Sequence, residues 1–359
     1  MDPRLHAFAK LIVNMATQIT RGDNVLIQIS DHGHDFALEL YKQIIEKGAQ
    51  PLLVSTPTEL VRAFYDIADS KTISTLPRHY YHLIQASDVI INIRSEANTK
   101  NLSTVPSHKI SARAKTLKPI QEERLSKRWC LTQYPTMGYA QEAAMSFAEY
   151  SDFVFSAILI DWEDQLRVMQ ELKQILDQTD EVRLIGDRTD LIMSIKGRNA
   201  VVGGPDNNVP GGEVFTAPID DSAEGHIYFD LPAIKYGQEV EGITLYFEKG
   251  EVVDFSAERN EALLRSMLET DAGARRLGEL GIGTNRGITT FTKNILFDEK
   301  IGDTIHLALG RAYKECGGTN ESAIHWDMIK TMKYTQGSRM IFDGIAVHLS
   351  EDGKWVTES

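Results

Sequence analysis

Hydrophobic positions in the first third of the chain switch between two spacings. Leu5, Phe8, Ile12 and Met15 recur at helical intervals, which predicts a helix over residues 3–19. After the break at Arg21-Gly22-Asp23, Asn24-Val25-Leu26-Ile27-Gln28-Ile29 is an apolar run with few charges. Such a run suits a strand buried on both faces of a parallel sheet. Phe36, Leu40, Ile44 and Ile45 restore a helical stripe over 35–47, Gly48 stands at its C′ position, and Pro51-Leu52-Leu53-Val54-Ser55 reads as the next strand. A strand–helix–strand unit implies a right-handed parallel crossover. Residues 58–85 read as helix in two pieces split at Thr75-Leu76-Pro77, residues 88–93 as a third buried strand and 129–132 as a fourth. Helices over 109–127 and 138–178 flank that last strand. The pattern predicts a doubly wound, flavodoxin-like or Rossmann-like α/β domain over residues 1–180.

Beyond residue 180 the period shortens. Residues 181–185 and 190–195 read as short strands, followed by the loop Gly203-Gly204-Pro205-Asp206-Asn207-Asn208-Val209-Pro210-Gly211-Gly212. A loop so rich in glycine lets backbone approach a ligand or metal closely. Strands at 226–230 and 244–248 come next, and Lys249-Gly250 turns the chain into Val252-Val253-Asp254-Phe255 as a hairpin. A helix spans 259–270, and strands cover 304–309 and 323–328. Residues 181–359 are therefore expected to form an α+β domain with mostly antiparallel strands.

Composition narrows the classes. A chain of 359 residues suits two domains at roughly 150 residues each. A net charge of −13 argues against nonspecific binding to nucleic acid or anionic membranes. The two cysteines, Cys130 and Cys316, imply no disulfide framework and fit a reducing, cytoplasmic compartment. The N-terminus has charges inside its amphipathic pattern rather than a signal-peptide core, and no run of 18 apolar residues suggests a membrane span. Neither G-x-G-x-x-G nor G-x-x-x-x-G-K-[ST] occurs, so the first domain is expected to bind no nucleotide. His32 and His34, beside Asp31 and Asp35, allow a second metal site, but a capping turn accounts for them more simply.

The chemistry concentrates between Glu279 and Asp327, which gathers Glu279, Glu299, His306, Tyr313, His325 and Asp327. These are oxygen and nitrogen donors without a thiolate, a mixture suited to divalent ions held for reaction. Strand alternation puts His306 on one face with Thr304 and Ala308, and His325 on one face with Asp327. Two such strands side by side would bring the three together. His306, His325 and Asp327 interrupt apolar runs, where an unpartnered polar group costs about 1–3 kcal/mol. They call for a common polar partner, of which a metal ion is one. Glu213, Glu279 and Glu299 lie beside glycines or turns, from which they can reach inward.

Six segments in order resemble the aminopeptidase T family of exopeptidases. They are Pro210-Gly211-Gly212-Glu213-Val214-Phe215-Thr216-Ala217-Pro218, Leu277-Gly278-Glu279, Phe297-Asp298-Glu299-Lys300, His306-Leu307-Ala308-Leu309-Gly310, Tyr313 and His325-Trp326-Asp327. The resemblance implies two divalent ions (Zn, Co, Mn or Mg) held by Glu213, Glu279, Glu299, His306, His325 and Asp327, with Glu279 as the bridge. It implies release of N-terminal amino acids from peptides by a hydroxide shared between the ions. Tyr313 would be a ligand or transition-state donor, and Glu213 or Glu299 a proton shuttle. A homodimer with an enclosed site would follow. An alternative is a single-iron, ring-cleaving dioxygenase of the 2,5-dihydroxypyridine type, with His306, His325 and Asp327 as its triad. A metal-free interaction protein with a relic site is a third reading.

Overall fold

The computed structural model describes residues 2–235 and 237–358. The chain divides into two compact units, Met1–Leu159 with Pro205–Gly211, and Ile160–Gly204 with Gly212–Ser359. The division falls after Leu159 rather than after residue 180, because the helix Trp162–Asp177 belongs to the second unit.

The first unit is built on a parallel sheet. Its strands lie in the order Gln50–Ser55, Asn24–Ile29, Val89–Arg94, Arg128–Gln133, Asn208–Val209. That is the order of a flavodoxin-like doubly wound sheet. The expected apolar runs form its centre, with Val25, Leu26, Ile27, Ile90 and Ile91 buried. The last strand comes from the glycine-rich stretch expected to be loop. Asn208 and Val209 pair in parallel with Leu131 and Thr132, and the Thr132 hydroxyl donates to the Val209 carbonyl at 2.7 Å.

Local capping corrected several helix boundaries. The helix expected over 138–178 is three, Met137–Glu142, Phe147–Ile158 and Trp162–Asp177. Ala144 has a positive φ of 55°, Ser146 and Glu149 form a capping box, and Asp161 caps the third helix through the amides of Glu163 and Asp164. Residues 58–85 likewise form three helices, because Asp69 caps the short Ser70–Ile73. The first helix, Pro3–Leu11, runs on as a π-helix over Ile12–Ala16.

His32 and His34 are exposed and join no metal-holding group among the described residues. Gly33, not a side chain, caps the helix His34–Glu46. Asp31 instead ties the ends of two strands to the next helix. It accepts from the Thr58 amide at 2.8 Å, the Thr58 hydroxyl at 2.7 Å and the Ala97 amide at 2.8 Å.

The second unit carries two antiparallel sheets of eight and five strands and a two-stranded ribbon, Ala233–Lys235 with Gln238–Val240. The expected hairpin closes at Lys249 and Gly250, both with positive φ, between Ile243–Glu248 and Glu251–Ser256. The five-stranded sheet has the order His325–Thr331, Thr304–Gly310, Leu277–Gly283, Glu213–Thr216, Val201–Gly203. Its second and third strands are buried at every residue. Among the described residues, no helix is long and apolar enough to cross a membrane. Both cysteines are free and buried.

Candidate metal centre

The five-stranded sheet places the candidate ligands by register. Gly283 pairs with Glu213, Gly281 with His306, Glu279 with Ala308, Ala308 with Asp327, and Gly310 with His325. Residues directly opposite one another share a face, as do residues two apart. Glu213, Glu279, His306, His325 and Asp327 therefore all project from one face of one sheet, although 114 positions separate Glu213 from Asp327. The expected alternation of His306 with Thr304 and Ala308, and of His325 with Asp327, holds.

Glycine makes the space. A Cβ on Gly281 would lie 2.0 Å from Cε1 and Nε2 of His306, and one on Gly203 would lie 2.6 Å from Cγ of Glu213. The two side chains occupy room that any larger residue would fill.

The five residues form two triads, Glu213–Glu279–His306 and Glu279–His325–Asp327, each with donor atoms within 4.8 Å of one another. Glu279 belongs to both. Its Oε1 is 3.3 Å from Nε2 of His306, and its Oε2 is 3.0 Å from Nε2 of His325. Glu213 Oε2 lies 3.4 Å from the same nitrogen of His306, and Asp327 Oδ1 lies 3.4 Å from that of His325. Nδ1 of His325 donates to the carbonyl of Arg311 at 2.8 Å, which fixes the ring and leaves Nε2 turned to the carboxylates. Nδ1 of His306 is buried without a partner among the described residues.

The electrostatics favour a cation. Burial alone would lower both histidines, yet the facing carboxylates raise His306 to about 9 and His325 to about 11. Burial would raise Glu279, but the two imidazoles hold it below its ordinary value. A cluster that retains protons against desolvation is one in which divalent ions can replace them. The oxygen and nitrogen donors, with no sulfur, fit that class of ion.

Glu299 joins neither triad. It sits at the C-cap of Ile295–Asp298 with its Oε1 in close contact with Nζ of Lys300, which is also 3.3 Å from Oε1 of Glu213. Burial, then the facing Glu213 and Asp327 carboxylates, pushes Glu299 up despite the neighbouring lysine. Tyr313 stands at the rim, its ring 4.9 Å from that of His325 and 5.5 Å from that of Phe215. Burial, followed by the site's carboxylates, pushes its phenol up as well.

Four contributors are not evident from the sequence. Lys300 is fully buried between two carboxylates, Gly281 and Gly203 form sockets, and the Arg311 carbonyl orients His325. The motif Phe297-Asp298-Glu299-Lys300 contained the lysine but gave no sign of its burial. Gly203 belonged to the glycine-rich loop expected to let backbone approach a ligand, but nothing in the chain marked either glycine as a socket for a particular side chain.

A family model described as thermophilic metalloprotease (M29) matches residues 1–355. The chain belongs to the M29 metalloprotease family. It is accordingly a metal-dependent hydrolase of peptide bonds. Aminopeptidase T of Thermus thermophilus is 26% identical to it, covering 98% of each chain. The solved structure of wild-type AmpT from the same organism superposes with a TM-score of 0.83 at 25% identity, covering 99% of this M29 chain and 97% of that one. A 2,5-dihydroxypyridine dioxygenase from Pseudomonas putida KT2440 shares the fold, with a TM-score of 0.60 at 16% identity over 98% and 96% of the two chains.

Proposed function

We infer that this M29 protein is an aminopeptidase that releases N-terminal amino acids from peptides and works with two divalent ions. The carrying observation is Glu279. One of its oxygens faces each histidine and each triad, as a bridging carboxylate requires. Glu213 and His306 would complete one ion's set, and His325 and Asp327 the other's. When bound, such ions supply the Lewis acidity that ionises a water near neutral pH and polarises the scissile carbonyl.

The protein's own groups do the rest. Tyr313 keeps its proton far above neutral pH, so it can donate a hydrogen bond to the oxyanion that develops on the carbonyl. Glu213 and Glu299 share the Lys300 ammonium. Of these carboxylates, one carries the proton to the leaving amine. The free α-amine of the substrate meets the excess of carboxylates at the site. A homodimer in a reducing compartment completes the proposal.

The dioxygenase reading is weaker. Its structural likeness extends to the fold alone, and a single iron would leave Glu213 and Glu279 without a task. Elemental analysis paired with an aminoacyl-anilide panel tests the choice. About two ions per chain with hydrolysis of Leu- or Phe-anilide is expected. One redox-active iron without peptidase activity would overturn the proposal. His325→Ala should abolish turnover and lower the metal content while the circular dichroism spectrum stays that of the wild type.

A further inference from the structure

We propose that the cavity bounded by Ala233, Ile234, Phe291, Ile295 and Trp326, beside His325 and Asp327, receives the side chain of the substrate's N-terminal residue and selects medium-sized apolar ones. This rests on the aminopeptidase reading above. In an aminopeptidase substrate, the first side chain hangs from the carbon between the free amine and the scissile carbonyl. Its pocket must therefore share a wall with the reacting centre. This cavity does so, because His325 and Asp327 belong both to its lining and to the second triad.

The charged groups in its wall are already engaged. Asp298 accepts from the Thr292 amide at 2.8 Å, the Thr292 hydroxyl at 2.9 Å and the Asn294 amide at 2.7 Å. Lys235 donates to the His325 carbonyl at 3.0 Å, and Asp327 faces the His325 ring. The other side chains in the lining are aliphatic or aromatic. The volume is about 140 Å³. Cavities of ~150 Å³ with apolar walls accept a benzene-sized guest. An isobutyl, sec-butyl, thioether or phenyl group fits, a methyl group leaves most of the space empty, and an indole exceeds it.

Ile295 is the natural probe, since it lines the cavity yet is 39% exposed and can be changed with little disturbance of the core. With the holoenzyme, kcat/KM for Leu-anilide should exceed that for Ala-anilide by at least about tenfold, since a filled methylene site is worth roughly 10–200-fold. Ile295→Trp should erase that advantage, while Ile295→Ala should shift preference toward Phe- and Trp-anilide. A second arm needs no turnover. Isoamylamine, which carries the leucine side chain and amine, should give a saturation-transfer NMR signal with metal-stripped wild type that Ile295→Trp loses and Ile295→Ala retains. Variants that lower all anilides equally, or leave the Leu preference intact, overturn the pocket assignment. If wild type cleaves no anilide, the aminopeptidase reading fails, and the isoamylamine arm alone decides what the cavity holds.

Discussion

Gly281→Ala isolates the packing on which the centre depends. The backbone at Gly281 lies outside the left-handed region, so alanine brings no conformational strain of its own. Its Cβ would, however, stand 2.0 Å from two atoms of the His306 ring, where ordinary contact begins at 3.4 Å. The ring must retreat by about 1.4 Å. Reactive constellations tolerate about 0.5 Å, and a 1 Å displacement costs roughly 100-fold in rate. The expected result is a fall of at least ~100-fold in kcat/KM for Leu-anilide, equivalent to about 2.7 kcal/mol. Occupancy of the ion bound by His306 should be lost too. Overpacking a buried strand should also cost about 1–3 kcal/mol of stability by urea denaturation. The control is a double-mutant cycle. In a His306→Ala background the ring is gone, so Gly281→Ala should be nearly neutral, giving a coupling of about 1–3 kcal/mol between the two positions. If Gly281→Ala keeps full metal content and turnover, or costs the same stability with and without the ring, the socket argument is wrong.

Lys300→Met should destabilise the metal-free protein by about 3–5 kcal/mol in urea, because Glu213 and Glu299 are left buried without their cation. A loss under about 1 kcal/mol would show that the lysine does not hold them. Removing divalent ions with a chelator should lower Tm, and restoring them at ~1,000 times Kd should return about 4 kcal/mol for each ion bound. Melting that ignores both treatments would mean the triads bind no ion. Asp31→Asn should weaken the first unit by about 1–3 kcal/mol. Burial pulls the Asp31 carboxyl up, but bonds from Ala97 and Thr58 hold it below 3.8. A lowered carboxyl adds stability above its unfolded pKa and loses it as pH falls through the folded one. Acidification below about pH 4 should thus erode wild-type stability, while Asp31→Asn responds less. Equal acid sensitivity in the two would refute that role.

Periodicity alone determined which segments could be buried. Apolar runs such as 24–29 and 88–93, alternating with helical stripes, suit strands buried on both faces of a parallel sheet, so the α/β half was legible from the pattern. Alternation also put His325 and Asp327 on one face, since a strand has a fixed period of two. What periodicity could not supply was register. Whether His306 stands opposite Gly281 or slips by one residue depends on pairings between strands distant in sequence, and a slip would turn every ligand to the other face. Burial was equally out of reach for Lys300, an ordinary surface residue by type that is fully enclosed by two carboxylates from different segments. The donor types were written in the chain. Their convergence on Glu279 exists only because an antiparallel sheet fixes five of them to one face, with glycines leaving the room they occupy.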